Sequence, residues 1–413
     1  MQTELADFIR DTPEGREADA ILRKCVHCGF CTATCPTYQL LGDELDGPRG
    51  RIYLMKQVLE GNRVTGKTQL HLDRCLTCRS CETTCPSGVE YGRLLDIVRN
   101  IVDQRVQRPW TERAQRAALT HVLPRPSMFG PLLGLGQMAK GFLPAALAGK
   151  VPGDVPRAEA WPAPRHARRM IALAGCVQPA LAPDINAAAA RVLDRLGISL
   201  IEARGAGCCG AVRYHLNQQS EGLDDMRRLI DAWWPQVQAG AESIVMTGSG
   251  CGAMVKEYAH LLERDPRYRD KAARISAMTR DICEVVEAEI EGLKPLAGAK
   301  PPQRVAFHPP CTLQHGQKIR GVTERVLMAA GFELTPVPDA HLCCGSAGTY
   351  SILQPELAGQ LKKNKLAALA TGMPEMILSS NIGCQSHLAS GAQVRVTHWI
   401  VALDERMTAD NRS

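Results

Sequence analysis

Two short cysteine-rich stretches, "CVHCGFCTATCP" (residues 25–36) and "CLTCRSCETTCP" (residues 75–86), decide the fold of the first part of the chain. Both follow the spacing C-x2-C-x2-C-x3-C-P, and together they hold eight of the 17 cysteines. Zinc sites prefer paired C-x2-C knuckles separated by a longer loop, so zinc would not use the third and fourth cysteines at this spacing. Disulfides are the other alternative, but clustered cysteines in a reducing compartment are metal ligands or catalytic thiols more often.

The spacing is the one that bacterial ferredoxins use to bind [4Fe–4S] clusters. In proteins with two clusters, the fourth cysteine of each run binds the other cluster. We therefore predict that one cluster is bound by Cys25, Cys28, Cys31 and Cys85, and the other by Cys75, Cys78, Cys81 and Cys35. Pro36 and Pro86 are expected to turn the chain away after each fourth ligand.

The segment between the two runs is longer than in small ferredoxins. It contains "PRGRIYLMKQVLEGN" (residues 48–62), whose apolar residues have helical spacing and which Gly61 should end. A second helical pattern follows near Leu94–Val106. The region resembles the α-helical ferredoxin domain of respiratory iron–sulfur subunits. Arg49 and Arg51 are expected to pair with carboxylates or to offset cluster charge, unless they lie on a solvated face.

Eight of the nine remaining cysteines form two matching sets. The first set is Cys176, Cys208, Cys209 and Cys251, and the second is Cys311, Cys343, Cys344 and Cys384. The offset between equivalent cysteines is 135 residues for the first cysteine, 135 for the adjacent pair and 133 for the last, which indicates a duplicated domain. Cys283 is left over, and its helical surroundings predict that it packs in the core.

The residues around these cysteines predict parallel α/β sheets. Short apolar runs typical of buried strands are found at Met170–Ala174, Ser243–Thr247, Val305–Phe307 and Met376–Leu378. Helical patterns at residues 184–197 and 321–331 lie between such runs. Alternating strands and helices predict a parallel sheet in each repeat. The cysteines should then converge at the carboxyl ends of the strands.

The repeats resemble the cysteine-rich CCG domain of heterodisulfide reductase subunits and of several respiratory iron–sulfur subunits. The family motif ends in C-x2-C, but Gly248 and Asn381 stand at the first of these two positions here. The resemblance implies an unusual iron–sulfur centre, a zinc site or a thiol redox site, while the missing ligand argues against a five-thiolate noncubane cluster. The alternative is a pair of metal-free domains that bind a partner.

Three histidines lie near the cysteines of the second repeat, namely His315, His341 and His387. They could serve as further metal ligands or as proton relays. The alternative for each is an ordinary structural histidine.

The composition is that of a globular protein, with 45% hydrophobic and 22% charged residues and a net charge of +6. Aromatic residues make up only 4% of the chain, which gives no indication of nucleic-acid binding. The first 20 residues lack a signal-peptide pattern, and no apolar run reaches the roughly 18 residues of a membrane helix. We therefore expect a cytoplasmic protein.

A connector rich in proline, residues 109–165, separates the ferredoxin region from the repeats and holds nine of the 26 prolines. Basic residues exceed acidic ones by five over residues 125–169. Such a segment suits an interfacial helix on an anionic membrane, a docking surface for a partner subunit, or a packed linker. The predicted domains are residues 1–108, 109–165, 166–297 and 298–413, in a multidomain α+β architecture.

Over nearly its full length the chain resembles the glycolate oxidase iron–sulfur subunit family. The resemblance is strongest at "CVHCGFCTATCPTY", "LDGPRGRIYLMK", "CLTCRSCETTCPSGVEYG" and "HPPCTLQHGQ". It implies an electron-transfer subunit of a complex that oxidises glycolate to glyoxylate, and D-lactate to some extent. It also implies flavoprotein partners that carry FAD, a quinone-like acceptor and association with the inner membrane face. No catalytic residue is expected in this chain, since it has no recognisable flavin or nucleotide motif.

Other families share the same parts. They are the iron–sulfur subunits of anaerobic glycerol-3-phosphate dehydrogenase and of lactate-utilisation complexes. A heterodisulfide-reductase-like enzyme, in which the CCG domains are catalytic, is a second alternative. A non-enzymatic iron–sulfur scaffold or redox sensor is a third.

Overall fold

The computed structural model describes residues 1–142, 155–296 and 301–408. The chain forms two compact units. The first comprises residues 1–117 together with 341–365, and the second comprises residues 118–340 together with 366–413. These units group the chain by its packing, and the domain boundaries expected from the sequence stay a prediction.

The first unit is helical. Its N-terminal part contains helices α1 Asp7–Arg10, α2 Pro13–Lys24, α3 Pro36–Leu41, α4 Pro48–Leu59, α5 Gly66–Asp73, α6 Ser80–Thr84 and α7 Tyr91–Arg105, with 3-10 turns at Phe30–Thr32 and Glu44–Asp46. Prolines begin α2, α3 and α4 because the first helical position needs no backbone N–H donor. Both helices predicted in this region are therefore present, as α4 and α7.

Helix α4 ends as its sequence predicts. Its last residue is Leu59, and Gly61 follows with a φ of +85°, a left-handed conformation that glycine adopts without strain. The helix buries Ile52, Met55 and Val58 in a core that also contains Leu94 from α7. This apolar contact between α4 and α7 supports the two cysteine-rich loops.

Helices α8 Trp110–Val122 and α9 Pro126–Met138 follow in the connector. The basic and apolar stretch predicted to contact a membrane or a partner continues into residues 143–154, which lie outside the described residues. Within the described ranges, no helix has both the length and the apolar character needed to cross a membrane.

The second unit contains two four-stranded parallel sheets of the same topology, ordered β2-β1-β3-β4 and β6-β5-β7-β8. The strands are β1 Arg168–Ala172, β2 Ile198–Glu202, β3 Ile244–Met246, β4 Thr279–Asp281, β5 Gln303–His308, β6 Phe332–Leu334, β7 Met376–Ser379 and β8 Arg395–His398. The repeated strand order agrees with the duplication inferred from the cysteine offsets.

Helices connect the strands in both repeats. They are α10 Gln178–Leu181, α11 Asp184–Arg195, α12 Ala211–His215, α13 Gln219–Gln238, α14 Ser249–Lys256, α15 Tyr258–Leu261, α16 Arg269–Met278, α17 Ile282–Ala288, α18 Ile290–Leu296, α19 Val322–Ala329, α20 Tyr350–Leu353, α21 Pro355–Ala370, α22 Ile382–Ala389 and α23 Trp399–Thr408, with a π-helical turn at Thr312–Gly316. Helix α20 and the start of α21 belong to the first unit.

The two sheets of the second unit share one hydrophobic core, which includes Leu193 from the first repeat and Trp399 from the second. Arg191 and Arg195 of the first repeat also form ion pairs with the nearly buried Asp404 of the second, at 2.5 and 2.8 Å. The parts of the two repeats that belong to the second unit are therefore packed together. Cys283 is fully buried in this core, as its sequence context predicts.

Candidate metal centres

The first cluster set is Cys25, Cys28, Cys31 and Cys85. These four cysteines line one open pocket, although Cys85 comes from the second cysteine-rich run, and Cys81 of that run also lines it. The loop that carries the first three turns sharply at Gly29, whose φ is +86°. A Cβ atom at Gly29 would lie 2.7 Å from Nη1 of Arg49, so any larger residue would displace this arginine.

Burial raises the pKa of two thiols in the first cluster set, those of Cys25 and Cys31. Burial is the largest cause for Cys31, followed by the charge of Cys25, and its pKa rises to about 11. Cys85 and Cys28 raise the pKa of Cys25 and Cys31 further. Several thiolates at such a site need a cation to offset their charge, so the donor set fits a metal cluster.

The second cluster set is Cys75, Cys78, Cys81 and Cys35. Burial raises the pKa of Cys81 well above its ordinary value, and the charges of Cys78, Cys75 and Cys35 add to this effect. The set thus mirrors the first, with three cysteines of one run close to the fourth cysteine of the other. Thr77 and Arg79 have left-handed backbones, as His27 and Gly29 do at the equivalent places in the first run.

Hydrogen bonds surround the sulfurs of the second cluster set. The backbone N–H of Thr77 donates to Cys75 Sγ over 3.4 Å, and the Tyr91 hydroxyl donates to the same sulfur over 3.7 Å. Thr37 Oγ1 lies 3.3 Å from Cys35 Sγ. Donors to cluster sulfurs raise the reduction potential of a bound cluster, so the two donors to Cys75 favour an electron acceptor at this position, while the Thr37 hydroxyl donates to the carbonyl of Asp46.

The two arginines singled out in the sequence have different surroundings. Arg49 forms an ion pair with Glu44, and both side chains are about 40% exposed. Arg51 is 1% exposed and donates to Thr37 Oγ1 over 3.0 Å and to Asp46 over 3.3 Å. Both arginines pair with a carboxylate, as expected, but only Arg51 places a buried positive charge beside the second cluster set.

Further cations lie near the second cluster set. Arg74 and His71 contact Asp46 at 2.8 and 3.1 Å, so this carboxylate has three cationic or polarisable partners. The guanidinium of Arg99 donates to the carbonyl of Cys75 over 2.8 Å. The charge of the adjacent Glu82 raises the pKa of the Cys81 thiol, in addition to burial and the neighbouring cysteines.

Part of the second repeat belongs to the first unit. This segment, residues 341–365, carries Cys343, Cys344 and Tyr350. The Tyr350 hydroxyl donates to the carbonyl of Arg74 over 3.0 Å, next to Cys75. The position of Tyr350 beside the second cluster set was not predicted from the sequence.

The four cysteines of the first repeat converge after strands β1, β2 and β3, as the sequence predicts. Hydrogen bonds link Cys176 to Cys208, Cys208 to Cys209, and Cys209 to Cys251. The Cys176 thiol, the Cys209 thiol and the backbone N–H of Gly210 donate to Cys208, so the pKa of Cys208 falls below its ordinary value. The pKa values of Cys176 and Cys209 rise, because each donates to Cys208 and both are buried.

The residues at the two missing cysteine positions behave differently. Gly248 leaves space, since a Cβ atom there would lie 3.6 Å from Gln178 Oε1 and 4.0 Å from Cys251 Sγ. Asn381 caps helix α22, because its side-chain oxygen accepts from the backbone N–H groups of Gly383 and Cys384. Its amide donates to Ser249 of the first repeat over 3.3 Å. Asn381 therefore has a structural role between the repeats.

In the second repeat, Cys311 and Cys384 belong to the second unit and both are buried. A ring nitrogen of His308 lies within 4.8 Å of Cys384 Sγ. His308 was missed in the sequence, although an offset of 135 residues aligns it with Leu173 of the first repeat. That difference between two otherwise matching positions was the available signal.

The three histidines singled out in the sequence have other surroundings. His315 is 3% exposed, and its Nδ1 lies 3.4 Å from Nη2 of Arg320, which favours a structural role. His341 belongs to the first unit and is partly exposed. His387 belongs to helix α22 of the second unit and is also partly exposed. A role of these two histidines as ligands or proton relays stays a prediction.

Models of known protein families match three segments of the chain. Residues 21–89, which contain both cluster sets, match a 4Fe-4S dicluster domain. Residues 171–256 and 305–389 each match a cysteine-rich domain. The matched segments cover the two cysteine-rich runs and both repeats, so the chain binds iron–sulfur and has a mixed α/β multidomain fold.

Similar proteins are found over different lengths of the chain. The glycolate oxidase iron-sulfur subunit of Escherichia coli (strain K12) is 58% identical over 98% of this chain and 99% of its own length. A probable glycolate oxidase iron-sulfur subunit of Bacillus subtilis (strain 168) is 29% identical over 90% of this chain and 89% of its own. Lactate utilization protein A of Geobacillus thermodenitrificans is 26% identical but covers 54% of this chain and 93% of its own length.

Proposed function

Because the chain belongs to the family of glycolate oxidase iron–sulfur subunits, we propose that it carries electrons away from glycolate oxidation within a multisubunit complex. The oxidation of glycolate to glyoxylate, and of D-lactate as a secondary substrate, takes place on flavoprotein partners that hold FAD. The observation that carries the proposal is the grouping of the eight cysteines into two sets, each with three residues of one run and one of the other.

The first cluster set and the second cluster set each bind one [4Fe–4S] cluster in this proposal. A cluster of this type takes up and gives off one electron at a time. The chain supplies the thiolates and buries three of the four cysteines of the second cluster set, namely Cys35, Cys75 and Cys81. Arg51 and the donors to Cys75 stabilise the negative charge that an added electron brings.

Electrons are passed from the flavin to the cluster sets and then toward the cysteine-rich repeats and a quinone-like acceptor. The proposed location is the cytoplasm, with peripheral attachment to the inner face of the membrane. The basic excess of residues 125–169 supports this attachment. The cysteines of both repeats are proposed as sites for further iron–sulfur or zinc.

A lactate-utilisation role is the second candidate, since several relatives carry that name. The coverage favours the first candidate, because the lactate utilization protein A of Geobacillus thermodenitrificans matches only 54% of this chain, whereas the Escherichia coli subunit matches 98%. Heterodisulfide reduction and a non-enzymatic scaffold or sensor are further outcomes of the test.

The test is substrate-dependent bleaching of the visible iron–sulfur absorption in the native complex, purified without oxygen. Glycolate, D-lactate, L-lactate and glycerol 3-phosphate are added to separate samples. We expect bleaching with glycolate and slower bleaching with D-lactate. Bleaching with only L-lactate or only glycerol 3-phosphate would assign the chain to a sister activity. No response to any of the four would favour the scaffold or sensor.

A further inference from the structure

The two cysteine-rich repeats differ at a buried position three residues before the first cysteine of each repeat. This position lies at the end of the preceding strand. In the first repeat this position holds Leu173, which is 4% exposed and packs in an apolar core. In the second repeat it holds His308, the last residue of β5, which is 1% exposed. Burying an imidazole where the duplicate buries an isobutyl group costs free energy unless the ring nitrogens have partners.

His308 lies beside a cysteine of its own unit. A ring nitrogen of His308 and Cys384 Sγ are within 4.8 Å of each other, and both residues are buried. Strands β5 and β7 are adjacent and parallel, with His308 opposite Ser379, and Cys384 lies in helix α22, which follows β7 at the same end of the sheet. Cys311 follows three residues after His308 in the same loop.

Asn381, which stands at the missing cysteine position of the second repeat, has a structural role. Asn381 caps the helix that carries Cys384, and its amide contacts Ser249. Its oxygen is already shared between two backbone N–H groups of that helix. Asn381 is therefore held as a cap, and the second repeat needs a different side chain if it is to have a ligand beyond its cysteines.

We propose that His308 is a metal ligand in the second repeat, and that its ring nitrogen and Cys384 Sγ bind the same zinc or iron centre. Imidazole and thiolate together suit both metals. In a tetrahedral site, bonds of about 2.0 Å to nitrogen and about 2.3 Å to sulfur place these two atoms roughly 3.5 Å apart. Small rotations of the two side chains from a separation within 4.8 Å satisfy this geometry.

The inference makes the repeats chemically different. The first repeat offers four thiols that are linked by hydrogen bonds, with a leucine at the position of His308. The second repeat offers a nitrogen ligand, which lowers the negative charge of a bound centre relative to thiolate ligands alone. With iron, the site in the second repeat is then easier to reduce than an all-thiolate iron site, whereas zinc, which has no redox chemistry, would make it a structural or Lewis-acid site.

The test uses three variants of the full chain within its complex, purified without oxygen. His308→Leu introduces the residue found in the first repeat, and His308→Cys replaces nitrogen by a thiolate. His315→Gln is the matched control, since His315 is also buried but faces Arg320. Zinc, iron and acid-labile sulfide are measured per chain, together with nitrogen hyperfine coupling by pulsed EPR, after cobalt(II) substitution if the metal is zinc.

We expect the wild type to show metal in excess of the two cubane clusters and a histidine nitrogen coupling. His308→Leu should lose both, His308→Cys should retain the metal and lose the coupling, and His315→Gln should retain both. An unchanged coupling in His308→Cys, or a wild type without the extra metal, would overturn the proposal. The cubane signals of the first unit stay as an internal reference, so failure here is distinguishable from failure of the electron-transfer role.

Discussion

Tyr350 donates a hydrogen bond to the carbonyl of Arg74 over 3.0 Å, although 276 residues separate the two in the chain. Arg74 directly precedes Cys75 of the second cluster set, and Tyr350 follows Cys343 and Cys344 of the second repeat. Burial raises the pKa of Tyr350, and the charges of Cys75 and Cys343 raise it further. The CCG loop of the second repeat therefore lies in the same compact unit as the ferredoxin cysteines, close to Cys75.

This contact predicts a role for Tyr350 in electron transfer out of the second cluster set. Tyr350→Phe removes the hydroxyl and loosens the loop, so we expect reoxidation of substrate-reduced clusters to slow several-fold while both clusters remain bound. The measurement is stopped-flow absorption of the complex after mixing with a quinone analogue. Tyr53→Phe, at a tyrosine of α4 that is 50% exposed, is the control. Equal reoxidation rates in both variants would argue against this role.

The surroundings of Arg51 predict that it raises the potential of the second cluster set. A buried guanidinium stabilises the reduced cluster, which carries one more negative charge, more than a solvated guanidinium does. Arg51→Gln should therefore lower one of the two cluster potentials by tens of millivolts in an EPR-monitored titration. Arg49→Gln removes an exposed arginine beside the first cluster set and should shift its cluster less. Equal shifts in both variants would remove burial as the cause.

The grouping of cysteines predicts which substitutions affect the same cluster. Cys28→Ala and Cys85→Ala should each remove the cluster of the first cluster set, although the two residues are in different runs. Cys35→Ala should remove the other cluster. All three should abolish dye-linked activity of the complex. EPR spectra of the dithionite-reduced variants distinguish the clusters. If Cys85→Ala resembled Cys35→Ala instead, the sets would have to be reassigned.

Two buried groups predict opposite dependences of stability on pH. Burial lowers the pKa of His398 from 6.5 to about 4, because a charged imidazole has poor solvation there. Between pH 6.5 and pH 4 the imidazole of His398 is protonated in the unfolded chain but stays neutral in the folded chain. The free energy of unfolding therefore decreases as the pH falls from 6.5 to 4. The loss is about 3 kcal/mol.

Burial raises the pKa of Asp281 from 3.8 to about 6. Its folded form keeps a proton that the unfolded chain loses, so its contribution is fully present below pH 3.8 and is lost as the pH rises to 6. This loss is also about 3 kcal/mol.

The variants at these two positions are controls for each other. The thermal unfolding midpoint is measured without oxygen between pH 4 and 7. His398→Gln should leave a chain whose stability, relative to wild type, decreases as the pH rises over this range. Asp281→Asn should leave one whose relative stability increases. Parallel pH profiles of wild type and both variants would show that neither group titrates as stated.

The sequence predicted the central parts of the fold better than the edges. The four strands expected from apolar runs are β1, β3, β5 and β7, which lie in the middle of the two sheets. A central strand of a parallel sheet is buried on both faces and is therefore almost entirely apolar. Edge strands β4 and β6 contain Arg280 and Glu333, so their three-residue patterns are not distinctive.

The candidate sites could likewise be predicted where the signal lies in nearby residues, and not where it depends on packing between distant parts of the chain. Cysteine spacing is local, so the grouping into cluster sets and the duplication were visible in the sequence. The contact of Tyr350 with Arg74 depends on chain packing over hundreds of residues and leaves no periodic pattern. His308 was visible only as a difference from Leu173 between the aligned repeats, because a buried histidine resembles a structural one when it is considered alone.

The most direct test of the central claim is an EPR spin count on the complete complex, frozen after reduction with glycolate in the absence of oxygen. We expect up to two spins per copy of this chain from reduced [4Fe–4S] clusters, with the magnetic interaction that two neighbouring clusters produce. A reduced flavin accompanied by no iron–sulfur spin from this chain would contradict its role as the electron carrier.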